Sequence, residues 1–243
     1  MNILLTVAYD GTNYCGWQRQ DNAVAVQQKL EEALSEIFRR EVKTAGASRT
    51  DAGVHALGQR AAFSVDKISI PIDKLPLVIN SHLPEDIAVQ GAERVGEGFN
   101  PRFDARAKTY CYQIYNAPYS NPLIRRYSAF VPGELNVEKM IEAAPKFIGT
   151  HDFAAFCASG SGAKTTVRTI FDCNVSQEGP LIRMSVTGDG FLYNMVRIMA
   201  GTLLYAGMGK VDDICGIIAS GDRKLAGKTM PPEGLTLMEV MYG

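Results

Sequence analysis

The sequence predicts a mixed α+β protein made of two halves with a similar order of elements. Three observations carry this. Several short segments alternate apolar and polar residues with period two, the mark of a half-buried strand. Two longer segments, 24 to 40 and 191 to 206, repeat apolar residues at the three- and four-residue spacing of a helix face. The order strand, helix, strand, strand, helix, strand runs through residues 1–105 and begins again in residues 106–243.

In the first half, residues 3 to 10 alternate as a strand. "AVAVQQKLEEALSEIFRR" then places Val26, Leu30, Leu34, Ile37 and Phe38 on one helical stripe, with Asn22 as its expected cap. Strands are expected at 41 to 48 and 58 to 66, a short helix at "IDKLPLVINSHL", and a strand near "DIAVQGAERV". In the second half, "KTYCYQIYN" reads as a strand, "NVEKMIEAAPKFIG" as a helix, and "TVRTIFDCNVS" and "LIRMSVTG" as strands. A helix follows with Leu192, Met195, Val196, Met199 and Leu203 on one face, then a short helix near "VDDICGIIAS" and a last strand at "LTLMEVMY". Both halves match the split βαβ pattern of ferredoxin-like folds. The expected assembly is a joined antiparallel sheet with helices packed on it and an active-site cleft between the halves.

Length and composition bound what such a chain can be. At 243 residues with 46% hydrophobic residues, it has enough apolar material for ordinary cores. The start "MNILLTVAYDGTNY" meets Asp10 after a short apolar run and reads as a strand, not a signal peptide. The longest apolar tract is interrupted by Asn194 and Arg197, too polar for a membrane span. A cytoplasmic protein is therefore expected, without membrane partners. Five scattered cysteines form no C-x-x-C pair and three histidines are equally dispersed, so neither a disulfide framework nor a metal site is expected.

The net charge of −1 does not by itself suggest a nucleic-acid partner. Its distribution does. Between residues 99 and 130, Arg102, Arg106, Lys108, Arg125 and Arg126 stand against the single acid Asp104, with eight aromatic residues among them. Cations that grip phosphate and rings that stack on bases are what an RNA surface needs. The same composition also suits a strand with alternating aromatics followed by a solvated loop.

"ASRTDAGVHA", residues 47 to 56, holds Arg49 and Asp51 among small residues, with Gly53 close behind. Small neighbours let another molecule approach an acid closely, although Asp is also a common turn residue. Most glycosidases and carboxylate metal sites need several carboxylates, so a lone one is left as a nucleophile, a base or a turn.

Four stretches together resemble one family: "YDGTNYCGWQRQ" (9 to 20), "SRTDAGVHALGQ" (48 to 59), "RFDARAKTYCYQIYN" (102 to 116) and "DGFLYNMVRIMAGTL" (189 to 203). They look like the signature blocks of the tRNA pseudouridine synthase A family, in order and at fitting separations. "GTHDFAAF" and "MPPEGLTLMEVMY" resemble two further blocks. The resemblance implies conversion of uridine to pseudouridine in the anticodon stem-loop of tRNA, at positions 38, 39 and 40, without cofactor or metal and by a homodimer. It implies Asp51 as the catalytic carboxylate, Tyr110 as the ring that stacks on the displaced uracil, and Arg197 as the basic partner of the carboxylate. Arg49, two residues from Asp51, is expected to hold a phosphate or fill the gap left by a flipped base. Cys111 departs from the basic or larger polar residue many members carry there. Trp17 and Gln18 are assigned no role in the site.

Two other readings compete. Ferredoxin-like sheets also serve as non-catalytic RNA-binding modules, but the aromatic strand lacks the ribonucleoprotein signature of such binders. T-D-A-G loosely resembles an aspartic protease loop. Those chains are almost wholly β, against the helical stripes here.

Overall fold

The computed structural model describes residues 1 to 243. It is α+β as expected, with ten strands and five α-helices. The chain divides into two compact units, Met1–Arg106 with Leu237–Gly243, and Ala107–Thr236.

The first unit contains β1 (Asn2–Tyr9), α1 (Val26–Phe38), β2 (Thr44–Gly46), β3 (His55–Ser64), α2 (Leu75–Asn80) and β4 (Ile87–Val95). β1 lies between β3 and β4 and is antiparallel to both, and β2 adds to β3, so the βαββαβ order is the expected one. Ile3, Leu5 and Val7 of β1 are fully buried, as are Val26, Leu30 and Leu34 of α1. Ile37 and Phe38 complete the stripe half-buried.

Asn22 does not cap α1. The N-cap is Ala25, which makes no side-chain bond. Two of the open backbone donors are met by main-chain carbonyls instead: Val26 N donates to Gly16 O at 3.2 Å and Gln27 N to Trp17 O at 3.0 Å. Asn22 lies in a small turn closed by a bridge between Gln20 and Ala23. The C-terminal strand β10 (Leu235–Met241) also differs from the sequence reading, in which it ends the second half. From Leu237 it belongs to the first unit, next to β3, where Gly58 leaves room for the Met238 carbonyl.

The second unit contains β5 (Ala107–Asn116), β6 (Ala129–Val131), α3 (Val137–Ala143), β7 (Gly149–Asp152), β8 (Val167–Glu178), β9 (Leu181–Gly188), α4 (Met195–Gly207) and α5 (Ile214–Ser220). Its strands run β5-β9-β8-β7, all antiparallel, with β6 parallel on β5. Asn136 caps α3 by accepting from Lys139 N at 3.0 Å, and Pro145 limits the helix, whose tail tightens into a 3₁₀ turn over Ala144–Phe147. Phe153 and Phe156 are fully buried and, with Phe147, meet edge to face, so the two rings of "GTHDFAAF" are core material while Thr150 and Asp152 are exposed. β6 and β7 have only three and four residues, too few to show a period.

All five cysteines are free, with Cys15 and Cys215 exposed. Burial pushes the Cys173 thiol up to about 12 and also raises that of Cys111. No helix is long and apolar enough to cross a membrane.

Candidate active site

Asp51 sits in the loop between β2 and β3, and that loop is fixed along its length. Gln59, fully buried, accepts from Ser48 N at 3.1 Å and donates back to Ser48 O at 2.7 Å. Ala47 N donates to Arg60 O at 2.8 Å. The hydroxyls of Tyr9 and Thr50 share a hydrogen bond of 2.7 Å. Buried polar groups satisfied in this way leave a backbone little freedom.

The segment from Gly11 to Trp17 is interlocked with this loop. Trp17 N donates to Thr50 O at 3.1 Å, and Gly53 N donates to Tyr14 O at 3.2 Å. His55 Nδ1 accepts from Gly11 N at 3.0 Å. Gly16 has φ of +85° and faces the Thr50 carbonyl so closely that a Cβ would strike it. Gly53 has φ of +78°, a left-handed conformation that glycine adopts without the penalty of a Cβ. "YDGTNYCGW" is thus a buttress that fixes the residues around Asp51. Asp51 itself is half-buried, while Arg49 is exposed. Gly16→Ala is expected to cost about 1–3 kcal/mol from the disfavoured φ and more from the clash of its Cβ with the Thr50 carbonyl, with a lower Tm and a lower turnover rate, read by thermal unfolding and single-turnover kinetics.

Trp17 belongs to this buttress. Its ring is 1% exposed, lies 6.0 Å from the Tyr9 ring, and covers Gly46, where a Cβ would meet the indole. It is core and presents no surface to RNA.

In the second unit, Tyr110 lies on β5 opposite Val186 of β9, 6% exposed, with Phe191 edge-on to its ring at 5.2 Å. Tyr112 follows on the same face. It is 1% exposed and its hydroxyl donates to Pro231 O at 2.7 Å. Burial raises its phenol pKa, so the proton that makes this bond is retained. Tyr112 is therefore a core residue.

Arg197 is the third residue of α4 and is half-buried. Its place off the apolar stripe would suit a solvated arginine. Instead its Nε donates to Met230 O at 2.7 Å and its Nη1 to Asn194 Oδ1 at 2.6 Å. Met230 N donates in return to Arg197 O at 3.2 Å. An arginine held by two segments is a positioned charge.

The four outer arginines are all exposed, but they do not form one run. Arg102 and Arg106 close the first unit, with Arg102 over the ring of Phe103 at 5.6 Å. Arg125 and Arg126 lie between β5 and β6 in the second unit. Phe103 is 78% exposed and Tyr119 84%, so each unit presents an exposed ring in the same stretch of chain as its cations. The sequence shows this mixture without showing which rings face solvent. It gives no sign of Gln59, Asn194 or the Met230 carbonyl as supports. No group of three or more His, Cys, Asp or Glu is placed to hold a metal ion.

A family model described as tRNA pseudouridine synthase matches residues 5–104 and 143–243. Asp51 and Arg197 fall inside the matched segments and Tyr110 between them. Relatives that match across nearly the whole chain carry the name tRNA pseudouridine synthase A. That of Ruminiclostridium cellulolyticum is 49% identical over 99% of both chains, and that of Geotalea daltonii 48% over 99% of both. That of Thermoanaerobacter sp. (strain X514) is 46% identical over 99% of both. These names do not favour a non-catalytic RNA-binding module. With the buttressed aspartate loop inside a matched segment and full-length identity near one half, the chain belongs to the tRNA pseudouridine synthase family.

Proposed function

We propose that this protein isomerises uridine to pseudouridine in tRNA, at positions 38, 39 and 40 of the anticodon stem-loop, with Asp51 as the catalytic carboxylate. The observation that carries the reading is the rigid loop around one half-buried aspartate in a chain of this family. The bond from ribose C1′ to uracil N1 breaks, the base turns over, and a bond forms from C1′ to C5. The C5 proton leaves and N1 gains one, so atoms and electrons balance without oxidant, metal or cofactor. One carboxylate suffices for this chemistry, since nucleophilic or ion-pair assistance splits the difficult step into easier ones. Flipping the base costs a few kcal/mol, less in a loop than in a stem.

In this reading Tyr110 stacks on the displaced uracil, and Arg197 keeps the carboxylate ionised. Arg49 takes a phosphate or the gap left in the stack. Its exposure supports that role. Arg102, Arg106, Arg125 and Arg126 hold the tRNA backbone. Replacing Arg102, Arg125 and Arg126 together by Ala is expected to weaken tRNA binding and flatten the plot of log K against log salt by about 0.7–0.9 for each phosphate no longer neutralised. An unchanged affinity from low to moderate salt would remove these residues from the RNA surface. The protein acts in the cytoplasm as a homodimer, so sedimentation equilibrium should give twice the chain mass of 26.5 kDa.

The target positions are tested by carbodiimide labelling and primer extension on a tRNA transcript. Stops at positions 38, 39 or 40 are expected. Stops only elsewhere would leave the family activity and overturn the site choice.

A further inference from the structure

Two non-glycine residues have positive φ, Arg39 and Asn194. Arg39 ends α1, where a left-handed residue is the ordinary way to stop a helix. Asn194, at φ 60° and ψ 9°, stands instead at the N-cap of α4. An asparagine there usually accepts from an N–H two or three residues on, yet its side chain makes no cap bond. It gives up both a relaxed backbone and its capping role. Its Oδ1 accepts the Arg197 Nη1 hydrogen instead, at 2.6 Å.

The second support of that guanidinium, the Met230 carbonyl, is itself pressed onto the helix. Thr202 Oγ1 accepts from Gly227 N at 2.8 Å, and the absence of a side chain at Gly201 admits the Lys228 carbonyl. Arg223 ties the same segment together, donating to Gly227 O at 2.9 Å and to Thr229 Oγ1 at 3.1 Å. Nε and Nη1 of Arg197 are thus held by separate segments. Arginine has many rotamers, and ordering one before substrate arrives removes that cost from the reacting complex.

We infer that Asn194 is a positioning residue that sets the rotamer of Arg197 for catalysis, an inference that rests on the role proposed above for Arg197. Asn194→Gly separates this from a structural role. Glycine enters the left-handed conformation without strain but adds freedom to the unfolded chain, so the two effects oppose each other. Tm should stay within about 3 °C. Affinity for tRNA should not change. The single-turnover rate at saturating tRNA should fall about tenfold or more, and its acidic limb should move to higher pH, as for Arg197→Met. In the double variant Asn194→Gly/Arg197→Met, the glycine should add no further loss, because its effect passes through the missing guanidinium.

A wild-type rate for Asn194→Gly while Arg197→Met is slow would overturn the role of Asn194 and leave that of Arg197 standing. A normal rate for Arg197→Met would remove both. Additive losses in the double variant, or a rate that falls only in step with Tm, would make Asn194 a structural residue alone.

Discussion

Asp51→Asn is expected to form no measurable pseudouridine while its Kd for tRNA stays within about fivefold of wild type. The substitution keeps the size of the side chain and removes its charge and basicity. In the proposed reaction those properties are used where the glycosidic bond breaks, so the loss falls on the transition state. Affinity comes mostly from phosphate contacts spread over exposed cations, which the substitution does not touch. The loop should also keep its shape. Its backbone is held by Gln59, Tyr9, Trp17 and Tyr14, through bonds to Ser48, Thr50 and Gly53. Single-turnover assays read the result, with mass spectrometry of the variant to exclude deamidation. Turnover by Asp51→Asn protein free of deamidation would remove Asp51 as the catalytic carboxylate.

Arg197→Met should leave tRNA binding nearly intact, lower the single-turnover rate by about two orders of magnitude, and shift the acidic limb of its pH profile upward. A carboxylate enclosed by a flipped base and small residues loses water, which raises its pKa. In the role proposed for Arg197, its guanidinium opposes that rise, by roughly 1–3 units for a close pair. The active form is the ionised one, so removing the cation moves the onset of activity to higher pH and the loss is greatest at the acid end. Lysine should restore only part of the rate. A point charge cannot reproduce both the bond to Met230 O and the bond to Asn194 Oδ1. A normal rate with an unmoved limb would make Arg197 a structural link between α4 and the Met230 segment.

Much of the fold is legible because burial writes a period into the sequence. Val26, Leu30 and Leu34 mark α1, and Ile182, Met184 and Val186 alternate along β9, all of them buried. Where the determinant lies elsewhere, no such signal exists. Asn22 has the chemistry of a cap, yet the carbonyls of Gly16 and Trp17 take that place, an arrangement that no pattern at the start of the helix encodes. β6 and β7 are too short for a period, and β10 joins the first unit from Leu237 onward through pairing far along the chain.

The candidate site shows the same division. Asp51, Tyr110 and Arg197 come from motif resemblance, which names residues without saying what holds them. Gly16 and Gly53 are visible as glycines, but only the structure shows that Gly16 faces the Thr50 carbonyl. Asn194 carries no signal in the sequence, since its positive φ and its bond to Arg197 are properties of the folded chain. The basic and aromatic mixture of residues 99 to 130 is plain, but not that Tyr112 is sealed in the core while Phe103 and Tyr119 face solvent.

The most direct test of the proposed chemistry uses a tRNA transcript carrying tritium at C5 of uridine and the purified protein after exhaustive EDTA treatment, with no cofactor added. Formation of the C1′ to C5 bond displaces that hydrogen, so tritium should pass to water in step with the carbodiimide-detected product and be absent with Asp51→Asn. Normal tRNA binding with no tritium released by the wild-type protein would contradict the assignment of this chain as a cofactor-free pseudouridine synthase.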